Sequence, residues 1–161
     1  MKLCIVFAGA IGCSKTPVAN YLSYNLNLPI LNNDSIRTEV VEDLKKFNQK
    51  EYLKRRDKSL EEIFKKEISF IYDSSIDREY KLFEEVIKKS GYRYKIISFD
   101  LSEKFLRNLY KIKGYQESLG RLKQLVKDHS DFLKNSGLKI SAHITDKNFK
   151  NRLRISYKAV K

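Results

Sequence analysis

The sequence has little of what builds disulfide-linked or zinc-bound proteins. It contains only two cysteines, Cys4 and Cys13, and two histidines in 161 residues. Two cysteines cannot form a disulfide framework, and no pair of Cys or His residues has the spacing of a structural zinc site. This usage fits a reducing compartment, so we expect a cytoplasmic protein.

Long apolar runs are missing as well. No segment approaches the run of about 20 apolar residues that a membrane-spanning helix needs. The bulky apolar residues near the start occupy only positions 3–7. The apolar region of a secretion signal is longer, at about 7–15 residues. We therefore expect neither a membrane anchor nor a membrane partner.

Positive charge, by contrast, is in excess. The 33 Lys and Arg residues outnumber the 20 Asp and Glu residues and give a formal net charge of +13 at pH 7. Such a charge attracts polyanions, including nucleotides and nucleic acid, although a lysine-rich surface also keeps a small protein in solution. The length and the 42% of hydrophobic residues predict a single folded domain over residues 1–161.

Short apolar segments alternate with helical patterns along the chain. The apolar segments predict five strands, at residues 2–7, 28–31, 68–72, 94–99 and 138–142. Helical patterns lie between them, including a series of apolar residues at helical spacing over 115–133. This alternation predicts an α/β fold with a mainly parallel five-stranded sheet and helices on both faces. Ligands of such sheets bind at the carboxyl ends of the strands.

A glycine-rich segment joins the first predicted strand to the first predicted helix. Its glycines let the backbone turn tightly, so that N–H groups at the helix N-terminus face phosphate oxygens. Lys15 would contact the outer phosphates, and Thr16 would ligate magnesium. We name the segment the phosphate loop and expect nucleotide to bind its residues, Gly9, Ala10, Ile11, Gly12, Cys13, Ser14, Lys15 and Thr16. The alternative is an ordinary glycine-rich turn.

The phosphate loop departs from the usual pattern, G-x-x-x-x-G-K-[ST], at one position and is followed by an unusual residue. Ser14 stands where glycine is usual, and a positive φ at that position costs serine about 1–2 kcal/mol. Pro17 lacks an amide N–H that could contact an inner phosphate. Both residues predict weaker nucleotide binding. Cys13 lies beside a helix N-terminus, where the pKa of a thiol tends to fall.

Aspartates follow the second and third predicted strands. Asp34 can accept the proton of an attacking hydroxyl, and Arg37, three residues later on the same helix face, can hold an acidic group of the acceptor. Asp73 follows the third apolar run directly. Both aspartates have the same alternative interpretation, because aspartate is also a favoured helix N-cap.

Three segments resemble the small P-loop kinases of the polynucleotide kinase and zeta-toxin type: residues 9–16, LNNDSIR at 31–37 and FIYDSS at 70–75. The resemblance covers about residues 1–114 and implies a P-loop NTPase fold with a helical lid. It implies ATP and magnesium as cofactors, with Lys15 and Thr16 binding them and Asp73 supporting the metal. It also implies that Asp34 is the catalytic base and that Arg37 contacts the acceptor.

Members of this family usually carry a lid arginine that clamps the transferred phosphate. The corresponding lid would span about residues 105–135 here, and Lys113 stands where that arginine is expected. Lysine supplies the charge without the bidentate fork. Arg107 and Arg121 are further candidates, and the alternative is that all three are solvated helix charges.

The resemblance implies phosphoryl transfer from ATP to a hydroxyl, on either a small molecule or the 5′ end of a polynucleotide. The alternative is a catalytically weak module of the same fold that binds nucleotide or nucleic acid. Ser14, Pro17 and Lys113 favour the binding module. The joint presence of Lys15, Thr16, Asp34, Arg37 and Asp73 favours the enzyme, because binding alone does not need acceptor-side residues. The acceptor, the oligomeric state and any toxin activity stay open.

Overall fold

Strands alternate with helices throughout residues 2–161, the part of the chain that the computed structural model describes. The strands are β1 (Leu3–Ala8), β2 (Ile30–Asn32), β3 (Phe70–Ser75), β4 (Arg93–Asp100) and β5 (Ile140–Thr145). The helices are α1 (Lys15–Leu26), α2 (Asn33–Leu44), α3 (Gln49–Lys65), α4 (Tyr80–Lys89), α5 (Glu103–Lys113), α6 (Gln116–Leu119), α7 (Leu122–Asn135) and α8 (Arg152–Val160), and a 3-10 turn at Phe149–Asn151 precedes α8.

The five strands form one parallel sheet in the order β2-β3-β1-β4-β5. β1 lies at the centre, and its residues from Cys4 to Ala8 are fully buried. Because all strands run in the same direction, their carboxyl ends meet at one edge of the sheet. The predicted α/β fold with a parallel five-stranded sheet is therefore confirmed, and the segments that follow β1, β2 and β3 are brought together.

Helices cover both faces of the sheet because side chains alternate along the strands. On one face, Ile5 and Phe7 pack against residues of α1, α5 and α8, including Leu22 and Leu106. On the other face, residues of β1 and β3 pack against α3 and α4. None of the helices in residues 2–161 is long and apolar enough to cross a membrane.

Two boundaries differ from the sequence-based expectation. β3 continues to Ser75, because β2 pairs with it as far as Asp73 and Phe7 of β1 pairs with Ser75. Asp73 therefore belongs to the strand and not to a loop or a helix cap. The helical pattern over 115–133 is divided at Gly120 into α6 and α7. Gly114 ends α5 in the left-handed conformation, as a C-terminal glycine commonly does.

Candidate functional site

The phosphate loop leaves the carboxyl end of β1 and enters α1. Gly12 has φ +74°, and a Cβ atom there would lie 2.9 Å from ring atoms of both Tyr110 and Tyr115, so only glycine fits. Ser14 has φ 87°, the left-handed conformation that glycine adopts without cost. The serine therefore carries a conformational cost of about 1–2 kcal/mol.

Helix α5, which lies in the predicted lid, donates hydrogen bonds to two carbonyl groups of the phosphate loop. The Lys113 Nζ donates to the Gly12 carbonyl oxygen at 2.7 Å, and the Tyr110 hydroxyl donates to the Ile11 carbonyl oxygen. The Lys113 ammonium also lies 5.6 Å from the centre of the Tyr115 ring. Burial lowers the pKa of Lys113, because desolvation disfavours its charged form.

Lys15 folds back over the loop. Its Nζ donates to the carbonyl oxygens of Ala10 at 2.6 Å and Gly9 at 3.1 Å, and it lies 3.6 Å from the Cys13 sulfur. The Cys13 side chain is completely buried, and burial raises the pKa of its thiol although Lys15 opposes this shift. The expected low pKa of this thiol is therefore wrong, because desolvation outweighs the helix N-terminus.

Thr16 and Asp73 meet at the start of α1. The Thr16 hydroxyl donates to Asp73 Oδ2 at 2.8 Å, and the Asn32 amide donates to the same oxygen at 2.8 Å. Asp73 is only 8% exposed, and burial raises the pKa of its carboxyl while the Thr16 hydrogen bond lowers it. The sequence-based pairing of these two residues thus corresponds to a direct contact.

This hydroxyl and carboxylate are ligands that suit magnesium. A magnesium ion is commonly held by one or two carboxylates together with substrate phosphates and water. Across residues 2–161, no group of three or more His, Cys, Asp or Glu side chains could hold a metal alone. Thr16 and Asp73 therefore fit a magnesium ion that arrives with a nucleotide.

Asp34 lies in the first turn of α2, at the same edge of the sheet. The N-cap of α2 is Asn32, whose side chain accepts a hydrogen bond from the Ser35 N–H at 3.0 Å. The interpretation of Asp34 as the helix cap is therefore wrong. Its carboxylate is exposed and close enough to Asp73 to contribute to the raised pKa of that residue.

Arg37 stands one turn further along α2. Its guanidinium carbon lies 4.9 Å from the centre of the Phe47 ring and 4.6 Å from that of Tyr52. Within residues 2–161, Arg37 takes part in no ion pair. Two aromatic rings thus orient an arginine that still lacks an anionic partner.

The two other lid candidates do not reach the phosphate loop. Arg107 pairs with Glu103 on the same helix at 2.8 Å. Arg121 is exposed and precedes α7. Of the three cations that the sequence placed in the lid, Lys113 is the one that contacts the loop within the described residues.

Two residues of the site were missed by sequence reasoning. Both Asp77 carboxylate oxygens accept the Gly9 N–H at 3.1 Å, and Asp77 Oδ1 lies 3.1 Å from Nδ1 of His129. His129 Nε2 lies 3.0 Å from the Ser98 hydroxyl. The apolar face of α7 predicts that His129 is buried, and hence that it needs a polar partner, but it does not say which.

Arg152 is the second missed residue. Its Nε donates to the Ser14 hydroxyl at 2.7 Å, although 138 residues separate the two in the sequence. No local pattern signals this contact, because it depends on how the last helix packs beside the first one. Three parts of the chain therefore form hydrogen bonds with the phosphate loop: the segment after β3, the helix α5 and the helix α8.

No protein-family model matches the sequence, and no curated protein is significantly similar to it. Many solved structures nevertheless resemble this chain. APS kinase of Mycobacterium tuberculosis, solved with AMPPNP and APS, has a TM-score of 0.68 at 13% identity and covers 99% of this chain and 97% of its own.

Two further structures give similar results. A gluconokinase from Sinorhizobium meliloti 1021 has a TM-score of 0.65 at 12% identity, with 97% of this chain and 90% of that one covered. A deoxyadenosine kinase from M. mycoides has a TM-score of 0.62 at 16% identity, with 96% and 97% covered. At these identities the similarity establishes the architecture alone: the chain has the fold of the small P-loop kinases.

Proposed function

We propose that this protein transfers the terminal phosphoryl group of ATP to the hydroxyl of a small-molecule acceptor, with magnesium. The observation that carries the proposal is the contact of Thr16 with Asp73 beside the phosphate loop. A phosphate-binding loop alone would support binding. A buried carboxylate at its end, with the exposed Asp34 close by, adds the groups that phosphoryl transfer requires.

The residues divide the chemistry between two sides of the site. On the nucleotide side, the loop amides would donate to phosphate oxygens, Lys15 and Lys113 would neutralise their charge, and Thr16 and Asp73 would hold magnesium. Magnesium, when bound, supplies charge that stabilises the transferring phosphoryl group. On the acceptor side, Asp34 takes the proton of the attacking hydroxyl. The new O–P bond forms as the bond to the ADP oxygen breaks, and ADP leaves with that electron pair.

Arg37 would bind an acidic or phosphate group of the acceptor. Its aromatic stack fixes the guanidinium plane, which is the arrangement needed for bidentate recognition.

The named structural neighbours act on small molecules, which supports a small acceptor. We keep the 5′ end of a polynucleotide as the second acceptor class because of the net charge of +13. The two free cysteines support a cytoplasmic location.

A binding module without turnover is the second candidate function. Ser14 in a left-handed conformation and a lysine at the expected lid-arginine position favour it. The open acceptor side opposes it: Asp34 is not needed as a cap, and Arg37 has no acidic partner among residues 2–161. Retained acceptor-side chemistry therefore makes the enzyme the better-supported candidate.

An ADP-release screen tests the proposal. Purified protein with ATP and magnesium should release ADP above background with an acceptor among nucleosides, sugars, amino-sugar nucleotides or 5′-hydroxyl oligonucleotides. Lys15→Ala should abolish most of the release, because it removes the charge at the phosphates. Lys158→Ala, at an exposed lysine of α8, makes the same charge change and should leave release intact. Nucleotide binding without release for any acceptor would favour the binding module.

A further inference from the structure

Arg152, the first residue of α8, contacts the loop position where serine replaces the usual glycine. Its Nε donates to the Ser14 hydroxyl at 2.7 Å and its Nη1 to the Phe149 carbonyl oxygen at 3.2 Å. The guanidinium carbon also lies 4.3 Å from the centre of the Phe149 ring. These contacts fix the guanidinium plane, and the Nη2 group has no protein partner in the part of the chain that the structure describes.

The charge of Arg152 is unbalanced within residues 2–161, where no carboxylate forms an ion pair with it. Arg152 lies at the N-terminus of a helix, where the partial positive charge of the helix dipole is unfavourable for a cation. Burial lowers the pKa of Arg152, so the site also removes water from the charge. A guanidinium held in such a place is expected to meet an anion that comes from outside the chain.

Two further cations surround the same loop. Lys15 and Lys113 donate to loop carbonyl oxygens and, like Arg152, join no ion pair of residues 2–161. Burial lowers the pKa of Lys113, and the nearby positive charges of Arg152 and Lys15 lower it further, although Cys13 opposes the shift. Like charges gathered at one loop are unfavourable unless an anion joins them. A chain of phosphates carries enough negative charge to balance all three.

We propose that Arg152 binds phosphate oxygens of the nucleotide held by the phosphate loop, and that Ser14 positions Arg152 for this contact. The inference rests on the proposed nucleotide-binding function and extends that site to α8. The Ser14 hydroxyl accepts the Nε–H, which leaves the outer edge of the guanidinium for the ligand. Glycine at position 14 would offer no side-chain acceptor for the Arg152 Nε–H. This contact gives the serine a function in spite of its conformational cost.

Direct binding measurements test the contact without requiring turnover. ATP and inorganic tripolyphosphate are titrated into the protein by calorimetry with magnesium present. Arg152→Gln should weaken binding of both ligands by about tenfold, because a charge-assisted hydrogen bond to phosphate is lost. Weaker ATP binding with unchanged tripolyphosphate binding would place Arg152 at the base or ribose and overturn the proposal.

Ser14 is tested by its coupling to Arg152. Ser14→Ala should weaken ATP binding about three- to tenfold by itself, and have no further effect in the Arg152→Gln background. The sequence alone predicts that Ser14 weakens binding. With its hydroxyl on Arg152, Ser14→Gly should instead also weaken binding, because the acceptor of Arg152 is lost, while the left-handed strain is already present without ligand and so affects stability more than affinity. Additive losses, or tighter binding by Ser14→Gly, would show that Ser14 does not position Arg152.

Arg154→Gln is the matched control, since Arg154 is an exposed arginine on the same helix. It changes the net charge equally and should leave both affinities unchanged, and thermal unfolding confirms that each variant is folded. Arg152→Gln binding as tightly as Arg154→Gln would refute the inference while the proposed function stands. If the unmodified protein binds neither ligand, both proposals fail together.

Discussion

Asp77 connects the phosphate loop to α7 through its carboxylate. It accepts the Gly9 N–H and faces the buried His129, which is 5% exposed. Asp77→Ala leaves the Gly9 N–H and the His129 Nδ1 without this partner and should lower the free energy of unfolding by about 1–3 kcal/mol. Asp77→Asn keeps an acceptor for Gly9 and should cost less. Urea unfolding measures both variants, and a loss below about 0.5 kcal/mol for Asp77→Ala would contradict the role.

Substitution of Asp34 tests catalysis without a loss of stability, because Asn32 and not Asp34 caps the helix α2. Asp34→Asn should reduce turnover by about 10²–10⁴-fold while the Kd for ATP and the unfolding midpoint stay nearly constant. Glu42→Gln, at an exposed position of the same helix, is the matched control and should leave turnover unchanged. Equal turnover in the two variants would remove Asp34 from the chemistry.

Some site residues could be read from the sequence because a parallel sheet gathers the residues that follow its strands. This reasoning placed Thr16 near Asp73, and the two are 2.8 Å apart. It left Asp34 as a possible cap of α2, whereas the cap is Asn32, since both residue types cap well and backbone direction decides. The contacts of Asp77 with His129 and of Ser14 with Arg152 join residues 52 and 138 positions apart, and no local pattern encodes them.

At the scale of elements, strand and helix order followed from the alternation of apolar segments, while several ends did not. β3 extends through three polar residues, Asp73, Ser74 and Ser75, because pairing with neighbouring strands holds them extended. Hydrophobicity cannot report such pairing. The break between α6 and α7 lies at Gly120, whereas the apolar spacing on either side continues without a change of period.

The pair of helices α2 and α3 acts as one unit that presents Arg37. Arg55 of α3 joins the two helices through two carboxylates of α2, Asp43 at 2.6 Å and Glu39 at 3.5 Å. Phe47 and Tyr52 flank the Arg37 guanidinium. An exposed cation–π contact contributes about 0.5–1 kcal/mol to orienting the charge. The presentation of Arg37 therefore depends on aromatic residues outside α2.

Loosening this stack should affect the acceptor and not the nucleotide. Phe47→Leu should raise the acceptor KM about two- to fivefold with an unchanged KM for ATP, because one ring of the stack is lost. Arg37→Lys should raise it further, since the fork disappears while the charge remains. In the Arg37→Lys background, Phe47→Leu should have little added effect. Steady-state kinetics of the four proteins decide this, and an independent effect of Phe47 would contradict the stacking role.

For the whole molecule, a net charge of +13 does not by itself form a nucleic-acid groove. A groove needs cations that are free to meet phosphates in a row. Many arginines of the described residues already pair with acids, among them Arg55, Arg56, Arg78 and Arg107. The arginines without acidic partners that the site uses, Arg37 and Arg152, are each held against an aromatic ring. These two guanidiniums are held singly, an arrangement that suits compact anionic ligands.

The two acceptor classes differ in how they respond to salt. Each phosphate that a protein neutralises on a single strand contributes a slope of about −0.7 to the logarithm of affinity against the logarithm of salt concentration. A labelled 5′-hydroxyl oligonucleotide should therefore bind weakly and lose that binding steeply as salt rises, and we expect no phosphate transfer from ATP to its end. A small acceptor found in the ADP-release screen should show a KM that changes little over the same salt range, because it engages one or two cations. Transfer to the oligonucleotide that is suppressed by salt in parallel with its binding would reverse this assignment, because only an acceptor held along its phosphates would couple the two.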